Sequence, residues 1–144
     1  METILIGSDH AGFTLKQRLV EKLGKAGFDV KDYGTHSEES MDYPDVAHPL
    51  AADINDGKAV RGILICGSGN GVSMVANKYP RVRAALCWNT ELASLARLHN
   101  NANILTLPAR FIDAETAFAI VDVFLSTAFS EEPRHARRVN KVSR

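Results

Sequence analysis

A cysteine stands between a run of apolar residues and a run of glycines in Gly62-Ile63-Leu64-Ile65-Cys66-Gly67-Ser68-Gly69-Asn70-Gly71. An unbroken apolar run bounded by glycine reads as a buried parallel strand. The glycine-rich turn after it exposes backbone N–H groups, and a following helix adds the positive end of its dipole. A thiol placed there sits beside an anion hole that favours a thiolate. A thiolate outside any nucleophilic dyad can act as a general base. Proton removal beside a carbonyl makes an enediolate, whose oxyanion needs pre-placed N–H donors. The turn over residues 67–71 can offer them.

Other chemistries fit the loop poorly. A dinucleotide fingerprint wants its glycines after the first strand, and this loop follows the third apolar strand. A phosphate-binding P-loop needs Gly-Lys-Ser/Thr, which is absent. A cysteine phosphatase needs an arginine just after the turn, where Val72 stands. The chain has two cysteines, Cys66 and Cys87, with neither Cys-x-x-Cys spacing nor a zinc-type Cys/His cluster.

Five apolar strands must position this loop. Ile4-Leu5-Ile6 ends in Gly7-Ser8-Asp9-His10-Ala11-Gly12, and Leu15, Leu19 and Leu23 then recur at helical spacing. The segment 28–32 alternates as a second strand, and 34–42 is a polar loop. Pro44 can open a helix with Val46, Leu50 and Ile54 on one face, and Pro49 predicts a kink or a late start. The Cys66 strand comes next, then a helix over 70–78 stopped by Pro80. Residues 84–87 form a fourth strand, and Leu92, Leu95, Ala96 and His99 share a helical face. Residues 104–107 form a fifth strand, and Ala117, Ile120, Val121 and Phe124 stripe a long helix. A last helix over 133–141 has almost no core stripe.

Strands alternating with helices predict one α/β domain over residues 1–144: a flavodoxin-like three-layer fold. The expected sheet is parallel, in the order 2-1-3-4-5, with helices on both faces and an extra C-terminal helix. Such a sheet binds its ligand at the carboxyl ends of the strands, where the order reverses. That crevice lies between strands one and three, so Asp9-His10 and the Cys66 loop face each other.

The chain of 144 residues carries 17 basic and 17 acidic side chains, so its formal net charge is zero. Nothing in that balance argues for nucleic acid or a membrane surface as a partner. The N-terminus lacks the pattern of a signal peptide, and no apolar run approaches the ~20 residues of a membrane span. A cytoplasmic protein with two free thiols is the expectation.

Several short motifs, in order over nearly the whole chain, resemble type B ribose-5-phosphate isomerase. They are Gly7-Ser8-Asp9-His10-Ala11-Gly12, Asp42-Tyr43-Pro44, Ile65-Cys66-Gly67-Ser68-Gly69-Asn70-Gly71, Ala76-Asn77-Lys78 and His99-Asn100. The resemblance implies interconversion of ribose 5-phosphate and ribulose 5-phosphate through an enediolate, with no metal or other cofactor. It implies a homodimer whose sites use both subunits, with a tetramer left open. It makes Cys66 the base, and gives Ser68 an assisting hydroxyl where relatives often have threonine. Gly67, Gly69, Asn70 and Gly71 belong to the anion hole. His99 opens the furanose ring, with Asn100 beside it, and Asp9 is a candidate for the anomeric proton. Asp9, His10 and Tyr43 line the sugar pocket. Arg134 and Arg138 match the phosphate clamp, with Arg110 as a candidate third member. Relatives that use a glutamate place it a few residues after the loop. Here Met74-Val75 offers no acid, so the cysteine type is assigned.

Each residue also has a plainer reading. Asp9 could cap the next helix, and Tyr43 could be a hydrophobic staple. His99 could be a capping or partly buried histidine. The arginines of 134–144 could be a solvated basic tail, although Arg134 and Arg138 are four apart and share a face. Alternative activities are galactose-6-phosphate or allose-6-phosphate isomerisation, or a non-catalytic flavodoxin-like binding module.

Overall fold

A computed structural model describes residues 1–142. One parallel five-stranded sheet runs through it in the order β2-β1-β3-β5-β4. The strands are β1 (Thr3–Ser8), β2 (Asp29–Asp32), β3 (Arg61–Cys66), β4 (Ala84–Leu86) and β5 (Ile104–Pro108). The helices between and after them are α1 (Phe13–Lys25), α2 (Pro44–Asn55), α3 (Asn70–Ala76), α4 (Thr90–Asn100), α5 (Ala114–Ser126) and α6 (Pro133–Val142). A single 3-10 turn, His10–Gly12, joins β1 to α1.

Side chains alternate across each strand. Ile4, Ile6, Ile63, Ile65, Leu105 and Leu107 face α1, α4 and α5, which bring Leu19, Ala93, Ile120 and Phe124. Leu5, Leu64 and Cys66 face α2 and α3, which bring Val46, Leu50 and Val72. The chain steps one way from β1 to β2 and the other way from β2 to β3. Crossovers of one hand therefore put α1 and α2 on opposite faces. Both layers and the C-terminal helix agree with the expected three-layer fold.

The strand order differs from the expected 2-1-3-4-5 in its last two members. β5 lies between β3 and β4, pairing both. The physical reason is burial. Ile104-Leu105-Thr106-Leu107-Pro108 is buried at every position, whereas the three residues of β4 are only half-buried. The continuous apolar strand belongs inside, and the short one suits an edge. The crevice between β1 and β3 is unaffected, but β5 now flanks the Cys66 loop. Two smaller differences concern helices. α2 begins at Pro44 and runs through Pro49, whose ring lies on the exposed side. In α4 the buried positions are Ala93 and Ala96, while Leu95 and His99 are exposed. No helix among the described residues is long and apolar enough to cross a membrane.

Lys16 is fully buried, and its ammonium bonds the Asp32 carboxylate at 2.7 Å. The other oxygen of Asp32 accepts the Gly34 N–H at 2.8 Å. The Gly34 carbonyl in turn accepts the Ser8 N–H at 2.7 Å. A buried ion pair thus fixes the backbone one residue before Asp9. Lys16→Ala should lower stability to urea by about 2–3 kcal/mol, somewhat less than breaking a fully buried pair because Asp32 is partly solvated. Lys16→Met should retain more of it. An unchanged urea midpoint for the alanine variant would show the pair to be idle.

Candidate active site

Cys66 is the last residue of β3, 5% exposed, and its side chain points toward the α2–α3 layer. Its sulfur accepts the Gly69 N–H at 3.1 Å. Such a bond strengthens when the acceptor carries charge. Gly69 holds the left-handed conformation, φ +76°. An added Cβ would lie 2.3 Å from the Leu86 side chain and 3.3 Å from the Leu107 backbone. Glycine is therefore required twice, for its φ and for its size. Ser73 locks the turn from behind: its hydroxyl donates to the Gly69 carbonyl at 2.7 Å and lies 2.6 Å from the Thr106 hydroxyl on β5.

The loop's amides are not all open. Gly69 N–H serves the Cys66 sulfur, and Asn70 N–H donates to Ser68 Oγ at 3.2 Å. An incoming oxyanion therefore meets the loop's other amides, the Ser68 hydroxyl hydrogen and Arg110.

A cleft of about 560 Å³ opens over Cys66, lined by Asp9, Tyr43, Cys66, Gly67, Ser68, Asn70, Gly71, Met74, Arg110 and Phe111. Asp9 has two places in the structure. One carboxylate oxygen caps the 3-10 turn by accepting Gly12 N–H at 3.1 Å, and the residue lines the cleft. Tyr43 leans on Gly71, where an added Cβ would stand 2.5 Å from its ring. Arg110 lies over Gly67, and its guanidinium would meet a Cβ there at 3.1 Å. Its place results from the strand order. The Ala109 and Arg110 N–H groups donate to the carbonyls of Cys66 and Gly67 at 2.9 and 3.0 Å.

The remaining residues singled out in the sequence do not line this cleft. Gly69 supports it from below. His10 accepts the Met41 N–H on its Nδ1 at 3.2 Å and so pins the 34–42 loop. His99 and Asn100 are exposed on the last turn of α4, and Asn100 borders a separate cleft with Asn77, Arg83 and Val142. Arg134 and Arg138 are exposed on α6, and Arg134 pairs with Glu132 at 3.1 Å.

Met74 and Phe111 join the lining although no motif marks them. They are 68% and 76% exposed at the rim, and large apolar side chains left in solvent beside a polar cleft mark a surface that expects cover. Their signal in the sequence is position alone, next to the Cys66 loop and to Arg110.

Cys87 provides a contrast. It is 1% exposed, its sulfur faces only the Ala85 carbonyl at 3.7 Å, and burial pushes its thiol up to about 11. Gly69→Ala should lose about 1–3 kcal/mol of stability, from left-handed strain and steric overlap. It should also change the iodoacetamide rate at Cys66 while Cys87 stays unreactive. Urea titration and peptide mass mapping measure both, and an unaltered Cys66 rate would separate the turn from the thiol.

Comparison with known proteins agrees with this geometry. The family described as Ribose/Galactose Isomerase matches residues 4–142. Ribose-5-phosphate isomerase B of Escherichia coli K12 is 41% identical over 143 residues, covering 99% of this chain and 95% of that protein. A crystal structure of a ribose 5-phosphate isomerase from Thermotoga maritima superposes with a TM-score of 0.95 at 52% identity, covering 99% of this chain and 97% of that one. The Mycoplasma genitalium ribose-5-phosphate isomerase B, solved with bound ribulose-5-phosphate, gives 0.93 at 43%, covering 97% and 93%. With a thiol, a carboxylate and a guanidinium gathered at the β1–β3 crevice, and relatives matching almost end to end, the chain belongs to the ribose/galactose isomerase family.

Proposed function

We propose that the protein interconverts D-ribose 5-phosphate and D-ribulose 5-phosphate through an enediolate. The observation that carries this reading is the Cys66 sulfur on the floor of a cleft that also holds Asp9, Ser68 and Arg110. The relatives' activity supports the choice of substrate. The cleft volume lies within the ~300–1,000 Å³ typical of small-molecule sites.

In the forward direction the furanose opens first. His99 protonates the ring oxygen as the anomeric hydroxyl loses its proton, with Asp9 the candidate acceptor. The open aldehyde lies with its oxygen toward the loop. Cys66, as thiolate, removes the C2 proton and becomes a thiol. The electron pair moves onto the C1 oxygen, where Ser68, the free loop amides and Arg110 stabilise the charge. The C2 hydroxyl proton passes to the C1 oxygen, and the thiol returns its proton to C1 as the C2 carbonyl forms, which restores the thiolate. Arg134 and Arg138 grip the phosphate, by charge-assisted bonds suited to a guanidinium.

This scheme needs His99, Asn100, Arg134 and Arg138 from a second copy of the chain. Three features support a homodimer with shared sites. These residues are exposed and outside the cleft of their own chain. Leu95 is exposed one turn before His99. Met74 and Phe111 leave an apolar rim at the cleft itself.

The test is NMR of ribose 5-phosphate in heavy water with chelator-treated protein. Wild type should form ribulose 5-phosphate carrying solvent deuterium, and Cys66→Ala should slow this by about 10²–10⁴-fold with sugar-phosphate binding retained. Lost binding would make the cysteine structural. A wild type inert toward ribose 5-phosphate but active on galactose 6-phosphate would overturn the substrate assignment. Arg138→Ala should raise KM about tenfold or more with a smaller change in kcat. An unchanged KM would return that arginine to the solvated surface.

A further inference from the structure

Among the described residues, α6 buries one side chain, and it is a histidine. His135 is 6% exposed, on a helix whose other side chains are all exposed or half-buried. A leucine would dock a helix more cheaply, because a buried polar ring costs free energy unless its nitrogen is paired. Here it is paired: Nδ1 lies 2.8 Å from the Ser130 hydroxyl.

The ring of His135 also faces that of His99, with centroids 4.2 Å apart and planes at 36°. Ser130 is itself fixed to α4, since its N–H donates to the Leu98 carbonyl at 3.2 Å. The contacts close a circuit. They run from the backbone beside His99, through Ser130, to His135, and back to the His99 ring. No hydrogen bond holds the ring of His99 among the described residues, so this stacked face is what restricts it.

We propose that His135 is a positioning residue that holds the His99 imidazole in the orientation needed for ring opening. The inference rests on the isomerase reading above, which gives His99 that step. Charge fits the role as well. Burial first, then the neighbouring His99, Arg134 and Arg138, hold His135 below the ordinary imidazole range, against the opposing pull of Glu132. A neutral ring can stack on a proton donor without competing with it for charge. Because α6 also carries Arg134 and Arg138, the test must separate orientation of His99 from placement of the arginines.

Ribulose 5-phosphate makes that separation. Its C5 oxygen is esterified, so the ketose cannot close to a furanose and needs no ring opening. His135→Ala and Ser130→Ala are compared with wild type in two assays: turnover of ribose 5-phosphate, and deuterium wash-in at C1 of ribulose 5-phosphate. Turnover of the cyclic sugar should fall about 10- to 100-fold, the scale of a misplaced catalytic group. Wash-in, and the KM for ribulose 5-phosphate, should stay within about twofold. His135→Phe, which keeps a ring against His99, should recover part of the loss. Equal losses in both assays, or a KM raised equally for both sugars, would show that His135 only docks α6, and would overturn the proposal. No loss in either assay would do the same. If His135→Ala does not fold, Ser130→Ala removes the ring's hydrogen bond, with only the long one from the Glu132 N–H at 3.4 Å besides, and decides between the same outcomes. A wild type that neither isomerises ribose 5-phosphate nor exchanges ribulose 5-phosphate would overturn the isomerase reading itself.

Discussion

The pairing of β3 with β5 does not stop where the strands end. Past the last ladder partners, Cys66 and Pro108, the next two carbonyls of the Cys66 loop still accept N–H groups, from Ala109 and Arg110. These two bonds splice a thiol-bearing loop to a guanidinium-bearing one. They put Arg110 over Gly67, and the same adjacency lets Thr106 of β5 meet Ser73 behind the turn. Gly69 is then caught between Leu86 and Leu107 with room for no side chain, and its N–H is left to the Cys66 sulfur. One register therefore sets the Cys66 thiol, its hydrogen bond and the guanidinium of Arg110.

The two cysteines show how much depends on the residues just past a strand. Both stand at strand ends on the carboxyl side of the sheet, and both are nearly inaccessible. Cys66 precedes Gly-Ser-Gly and receives a backbone N–H. Cys87 precedes Trp-Asn, and burial alone governs its thiol and keeps it protonated. The residue type is shared, and the turn decides the chemistry.

Much of this is readable from residue order. The apolar runs, the glycines at their ends and the change of period after Phe13 define the strands and α1. The Cys66 loop and Asp9 fall at the crevice that a parallel sheet predicts. Strand order is less legible, because chain order says nothing about which of two late strands is central. The contrast between Ile104-Leu105-Thr106-Leu107 and Ala84-Ala85-Leu86 holds that information, since the strand with the larger apolar side chains must be covered on both faces. The stripe of Leu92, Leu95, Ala96 and His99 misleads in part, for a related reason: Leu92 and Ala96 pack against the core, while Leu95 and His99 are exposed. Helical spacing identifies residues that share a face, but it does not say whether that face meets the core. In α4 the buried positions are Ala93 and Ala96, small residues that let the helix approach, with Leu92 packed beside them.

Topology also sets the end of α4 apart from the Cys66 cleft. A helix that links parallel strands runs back against them, so its last turn lies at the amino edge of the sheet. His99 and Asn100 end α4, whereas Cys66 and Asp9 stand at the carboxyl ends of β3 and β1. A strand of six residues such as β3 separates those edges by about 20 Å. No rotamer of His99 spans that length, so the His99 ring does not reach the Cys66 sulfur of its own chain. The separation is built into every parallel α/β sheet and is implicit in the positions of Cys66 and His99. In the proposed homodimer a second copy would lay its α4 end and α6 against the cleft. The exposed Met74 and Phe111 would then be covered, and the arginines of α6 would gain an anionic partner in the substrate.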